Sequence, residues 1–332
     1  FVPELARVPT LVYFHENQLA YPDSGKQHPS VEPAMVNLYS ALCADQVAFN
    51  SEWNRRSFLE GVRALLRRLP DEVPPELVSL LTAKSLVLPV PLADGLFLGS
   101  ELCSAAQAYL AVVRTRRVSA ASPSNPAALN PHNSHSQPAA PKPISIVWNH
   151  RHEHDKGPER LLLVIQALIK HNQRFQLHLL GQRFRQRPAA FDQLEQILAD
   201  YYQAQGIEPG INRFIEERQQ YEAILRSADM VLSTADHDFQ GLSMLEAAAL
   251  GCIAIAPAAL AYPEYLPAEG LYPVEGLSLG QQADAAAELI VRHAQYQAQH
   301  PGQRTVPQSV LALKATNLAS RWQHCLQSLA KS

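Results

Sequence analysis

Short apolar runs rich in β-branched and aromatic residues alternate along the chain with longer stretches whose apolar residues recur at helical spacing. The runs predict strands at 10–14, 45–49, 85–90, 144–148, 175–180, 213–215, 230–233 and 252–256. The stretches between them predict helices at 31–44, 52–69, 158–171, 188–205, 219–227, 245–250, 284–299 and 310–329. Ser51 is placed to cap the helix that follows it, and Pro158 suits the first turn of its own. Strand and helix alternate throughout, which predicts an α/β protein with parallel sheets.

The alternation is interrupted once. Residues 118–143 hold six prolines with Ser, Asn and Ala and a single charged residue, Lys142, and have no period. That composition predicts an extended or disordered linker. It divides the chain into a first domain at 1–117, a linker at 118–143 and a second domain at 144–332. The second has enough strands and helices for a doubly wound domain. The first has too few to stand alone, so its N-terminal part is expected to be missing, and the chain begins at Phe1.

Composition narrows the classes. A hydrophobic fraction of 47% and 332 residues suit two globular domains. The net charge of −3 gives no general affinity for nucleic acid, so any such site must be a local patch. No apolar run reaches the ~20 residues of a membrane helix. Cys43, Cys103, Cys252 and Cys325 are scattered, which excludes a disulfide framework or Cys-x-x-Cys zinc site and points to a reducing, cytoplasmic compartment.

Candidate chemistry concentrates at two strand ends of the second domain, where open α/β sheets bind ligands. After the 230–233 strand come Asp238, Gly241, Leu242 and Glu246, the two acids eight positions apart. Ser243 and Glu246 also read as a helix capping box, which needs no ligand. After the 144–148 strand come Arg151 and Lys156, followed by Gly157. Cations there can neutralise a phosphate, Arg as a fork and Lys as a point charge. His150, His152 and His154 alternate beside them and would share one side of an extended chain, as zinc ligands could; one local cluster is weak support, and no metal is assigned.

The acid pair and the Arg-x4-Lys-Gly string resemble the donor-site signatures of retaining glycosyltransferases of the GT-B fold, with Asp238 where that family usually has Glu. The resemblance implies two Rossmann-like domains facing across a cleft. It implies Arg151 and Lys156 on a donor diphosphate, Asp238 on the sugar, Glu246 on the ribose, backbone near Gly241 and Leu242 on the donor, and no bound metal. His15 resembles the histidine that these enzymes bring to the transferred sugar from the first domain. Glu16 and Asn17 beside it are candidates for the acceptor.

Longer strings are more specific. Tyr13 through Pro22, Phe49-Asn50-Ser51, Trp148 through Lys156, Asp238 through Gly241, Met244 through Ala247 and Tyr262-Pro263-Glu264 are similar to the tRNA-queuosine α-mannosyltransferase family. That resemblance implies GDP-mannose as donor substrate without a further cofactor, queuosine in tRNA-Asp as acceptor, and retention of anomeric configuration. It implies neither a membrane nor an obligate protein partner. Arg56, Arg63 and Arg67 share one helical stripe, with Arg55 and Arg68 near, and suit either RNA phosphates or plain solvation. Arg183, Arg185 and Arg187 form a second basic stretch open to the same two readings, and Tyr21 and Trp53 are candidates by position alone for stacking on a base. A GT-B transferase acting on a glycan, lipid or small molecule, and a non-catalytic sugar-nucleotide or RNA-binding fragment, remain as alternatives.

Overall fold

The computed structural model describes residues 8–21, 31–69, 74, 76–97, 99, 142–185 and 187–331. Of the stretch expected as a linker only 142 and 143 fall inside that set. The first domain carries β1 (Leu11–Phe14), α1 (Glu32–Cys43), β2 (Gln46–Phe49), α2 (Glu52–Leu66), α3 (Leu77–Ala83) and β3 (Ser85–Val87). Its sheet is parallel, in the order β1-β2-β3.

The second domain runs through β4 (Ile144–Trp148), α4 (Pro158–Lys170), β5 (Phe175–Leu179), α5 (Ala190–Gln205), α6 (Arg218–Ser227), β6 (Met230–Leu232), α7 (Leu242–Ala249) and β7 (Ile253–Pro257). A short α8 (Tyr262–Tyr265), β8 (Leu271–Tyr272) and α9 (Leu279–Gln299) follow. The sheet is parallel, ordered β5-β4-β6-β7-β8. Successive side chains of a strand point to opposite faces. Ile146, Trp148, Met230, Leu232 and Ile255 therefore pack on one face with α4, α5 and α9. Val147, Val231, Ala254 and Ala256 pack on the other with α6 and α7. Continuous apolar runs are what a sheet buried on both faces requires.

Two expectations are corrected. No strand forms at 213–215: Asn212 makes one isolated bridge to Leu179, Arg213 and Phe214 are exposed, and Ile215 alone is buried, so the run anchors one side chain in the core without extending the sheet. The expected final helix is two, α10 (Gln308–Leu311) and α11 (Ala315–Leu329). Although the 144–332 boundary assigns α11 to the second domain, it packs on the first sheet. Trp322 stacks on Tyr13 with ring centroids 5.4 Å apart, Cys325 joins the cluster of Ala48 and Leu88, and Arg321 donates to the Val87 carbonyl. The face of β1-β2-β3 turned away from α1, α2 and α3 is apolar, and α11 covers it. Among the described residues no helix is long and apolar enough to cross a membrane.

Candidate active site

The site begins where two loops of the second domain touch. The loop after β4 crosses the turn after β6 at Gly157, whose φ is +61°. A Cβ there would lie 1.9 Å from the Thr234 carbonyl oxygen, so only glycine permits the crossing. The two loops are then bonded together. Trp148 Nε1 donates to Thr234 Oγ1 at 3.0 Å, and that hydroxyl donates to the Lys156 carbonyl at 2.9 Å. The amides of Asp236 and His237 both donate to the Asp155 carbonyl. Buried Arg160 donates to the Thr234 carbonyl and pairs with Asp236 at 2.6 Å.

Lys156 is thereby fixed. Its Nζ donates to the His237 carbonyl at 2.7 Å and lies 3.0 Å from the Asp155 carboxylate. Arg151 is more exposed and pairs with Glu153 at 3.1 Å. Asp238 is held by two donors: the Gly241 amide to Oδ1 at 2.9 Å and the Tyr262 hydroxyl to Oδ2 at 3.0 Å. Burial and the nearby Asp238 hold the Tyr262 phenol well above its ordinary range, so it remains a donor. Gly241, with φ +74°, is the N-cap of α7, and a Cβ there would meet the Tyr262 ring at 2.7 Å. The Ser243–Glu246 capping box does not form. Glu246, a turn into α7, instead pairs with Arg218 at 2.9 Å.

The first domain supplies the opposite wall. His15 and Glu16 are exposed at the end of β1, where Asn50 donates to the His15 carbonyl. Ser51 caps α2 through the Asn54 amide and donates its hydroxyl to the Phe239 carbonyl across the cleft. Glu264 also crosses: its two oxygens accept the amides of Glu52 and Trp53 at 2.8 and 2.7 Å. Tyr265 donates to the Asn50 carbonyl, and the Gln240 amide bonds the Val90 amide and carbonyl.

Arg151, Lys156, Asp238, Gly241 and Leu242 line one cleft of about 280 Å³ with His15 and Glu16. Three expected site residues stand otherwise. Asn17 is fully buried and spent on Asn54, Ser57 and the Ala20 amide, so it shapes the loop and faces no acceptor; its short amide is claimed by α2. Glu246 is outside the cleft lining, beside Arg218. Trp53 packs against Phe239 and His237 within the cleft wall. Tyr21 is exposed at the rim, edge-on to His237 with centroids 4.7 Å apart. Of the 183–187 stretch, Arg183 and Arg187 are turned onto Glu195, leaving it less basic than its sequence.

Three histidines of this region, His150, His152 and His237, are held neutral. Burial brings His150, His152 and His237 down to about 4, with Lys156 adding to the effect at His150 and His237 and Arg187 at His152. His152 lies flat on Phe191 and His154 is exposed, so the three alternating histidines do not share one side. Buried Asn149 Oδ1, His150 Nε2 and His237 Nε2 have no partner within the described residues. Such groups cost about 1–3 kcal/mol each, and of the three His237 lines the cleft. Motif spacing does not single out Asp155, His237, Tyr262 or Glu264; Asp155, Tyr262 and Glu264 lie within the resembling strings, and His237 has no signal in the sequence.

Residues 1–92 match the family described as tRNA-queuosine alpha-mannosyltransferase N-terminal, and residues 143–295 match glycosyl transferases group 1. A Drosophila melanogaster protein named tRNA-queuosine alpha-mannosyltransferase is 31% identical over 270 residues, 81% of this chain and 62% of that protein. The chain thus spans under two thirds of that relative's length. Sucrose-phosphate synthase from Thermosynechococcus elongatus superposes with a TM-score of 0.59 at 19% identity, covering 97% of this chain and 68% of its own. Anabaena HepE in complex with UDP gives 0.64 at 14% identity, covering 99% and 74%. At these identities the likeness is of fold, and the fold is GT-B.

Proposed function

We propose that this chain, which belongs to the tRNA-queuosine α-mannosyltransferase family by its first domain and to the group 1 glycosyl transferases by its second, moves mannose from GDP-mannose to queuosine in tRNA-Asp with retention. The observation that carries the reading is the single cleft into which one domain brings Arg151, Lys156 and Asp238 and the other His15 and Glu16. The guanine base of the donor and the choice of tRNA-Asp rest on the family resemblance.

Breaking the glycosidic bond places negative charge on the departing diphosphate. Lys156, fixed by the His237 carbonyl, meets that charge in place, Arg151 turns to it from Glu153, and the N-terminus of α7 at Gly241 and Leu242 adds its dipole. Asp238, held by Tyr262 and the Gly241 amide, orients the hexose. Glu246 takes the ribose once Arg218 yields it. His15 and Glu16 approach the reacting carbon from the other wall. The acceptor hydroxyl attacks the anomeric carbon on the face that the diphosphate leaves, and its proton passes to a donor phosphate oxygen.

Radiolabelled GDP-mannose, the purified chain and queuosine-containing tRNA test the reading. Label is expected in queuosine, and far less with Lys156→Ala. Absence of label with these components, or equal label from UDP-mannose, counts against it.

A further inference from the structure

α2 starts inside the cleft wall and runs outward. Its cap Ser51 is bonded to Phe239, and Trp53 in its first turn packs on His237 and Phe239. Along its outer face stand Arg56, Arg63 and Arg67, all exposed. At about 100° per residue they fall within about 40° of one another, and the row is about 16 Å long. Among the described residues no carboxylate lies within ion-pair distance of any of the three; Arg55 is the arginine that Glu52 takes. Arg56 feels the field of Glu264, but both oxygens of that carboxylate are committed to the amides of Glu52 and Trp53. Glu60 and Glu52 border the stripe on its two sides, and Glu52 is the one taken by Arg55. In a chain of net charge −3 this row is a local feature. At its cleft end Tyr21 offers an exposed aromatic face at the rim.

Accepting the RNA-modifying reading above, we infer that this arginine row is the track on which the phosphodiester backbone of the acceptor RNA lies, while the base to be modified passes Tyr21 into the cleft. A backbone carries one charge per ~3.4 Å of strand, so a row of this length meets several phosphates. Charge complementarity favours RNA over a lipid surface, because Glu60 and the ion-paired Glu52 interrupt the apolar and basic faces that a membrane helix needs.

The test compares the full chain with a variant carrying Arg56→Gln, Arg63→Gln and Arg67→Gln, and with Glu60→Gln. Binding of queuosine-containing tRNA is followed by fluorescence anisotropy between ~50 and ~200 mM salt, the range over which phosphate contacts are read. The triple variant is expected to bind at least ten-fold more weakly at the lower salt, with a log–log salt slope reduced by about 2–3. Glu60→Gln is expected to bind several-fold more tightly, which a folding defect does not produce. Wild-type affinity and slope in the triple variant overturn the track and leave the RNA-acceptor reading standing. Failure of the wild-type chain to bind the tRNA overturns both, as does binding only to vesicles containing phosphatidylserine.

Discussion

Single atoms decide the geometry of this cleft at two glycines and one phenol. Gly157→Ala asks a left-handed residue to carry a Cβ 1.9 Å from backbone, so the loops after β4 and β6 must separate. Urea unfolding is expected to show a loss of about 2–4 kcal/mol, together with loss of donor binding by calorimetry. Unchanged stability would mean that the loops do not touch. Tyr262→Phe keeps the ring under Gly241 and removes only the hydroxyl that fixes Asp238. A drop in kcat of about ten-fold with little change in KM is expected from the loss of its bonds to Asp238 and Ser233; an equal rise in KM would place the effect in substrate binding. The residues nominated from motif spacing were those whose chemistry is local to one loop. Tyr262 was not nominated, because nothing near Asp238 announces a partner 24 positions away.

Helix α2 shows the same division at the level of an element. Its start and its own Ser51 cap are legible, since Ser before a helical run is a local signal, while the helix ends at Leu66, short of the expected 69. Its second cap is Glu264, from the other domain. Glu264→Ala is expected to cost about 1–2 kcal/mol by chemical denaturation, and to weaken the join between domains, read as faster proteolysis. A variant as stable as wild type would make the contact incidental. Burial pushes the Glu264 carboxyl up, against the pull of those two amides, so its ionised form is the costly one. Helix α11 could be placed as a helix from its spacing but not assigned to a sheet. Its apolar stripe fits either domain, and only the uncovered face of β1-β2-β3 selects one.

Across the whole molecule, the buried histidines should govern acid stability. His150, His152 and His237 titrate at about 4 in the folded chain, below the usual 6.5. The unfolded chain therefore binds more protons between those values. The stabilisation is complete above about pH 6.5 and is lost as pH falls towards 4, at up to about 1.4 kcal/mol per pH unit for each histidine. His152→Phe, which keeps an aromatic ring against Phe191, is expected to flatten that slope by one histidine in urea titrations at several pH values. An unaltered slope would place His152 among solvated groups.

By itself the sequence determined the parallel α/β alternation, the strand runs other than 213–215 and the loops bearing Arg151, Lys156 and Asp238. These follow from periods of two and 3.6 and from turn residues, all local properties of the chain. Only the tertiary structure decided that His15 and Glu16 face those residues while Asn17 is buried in scaffold, that Glu246 lies with Arg218, and that α11 crosses to the first sheet. Such outcomes depend on contacts between residues up to 279 positions apart. Whether a polar side chain meets solvent, a ligand or another part of the scaffold is set by which surfaces close upon each other, and that competition has no local signature.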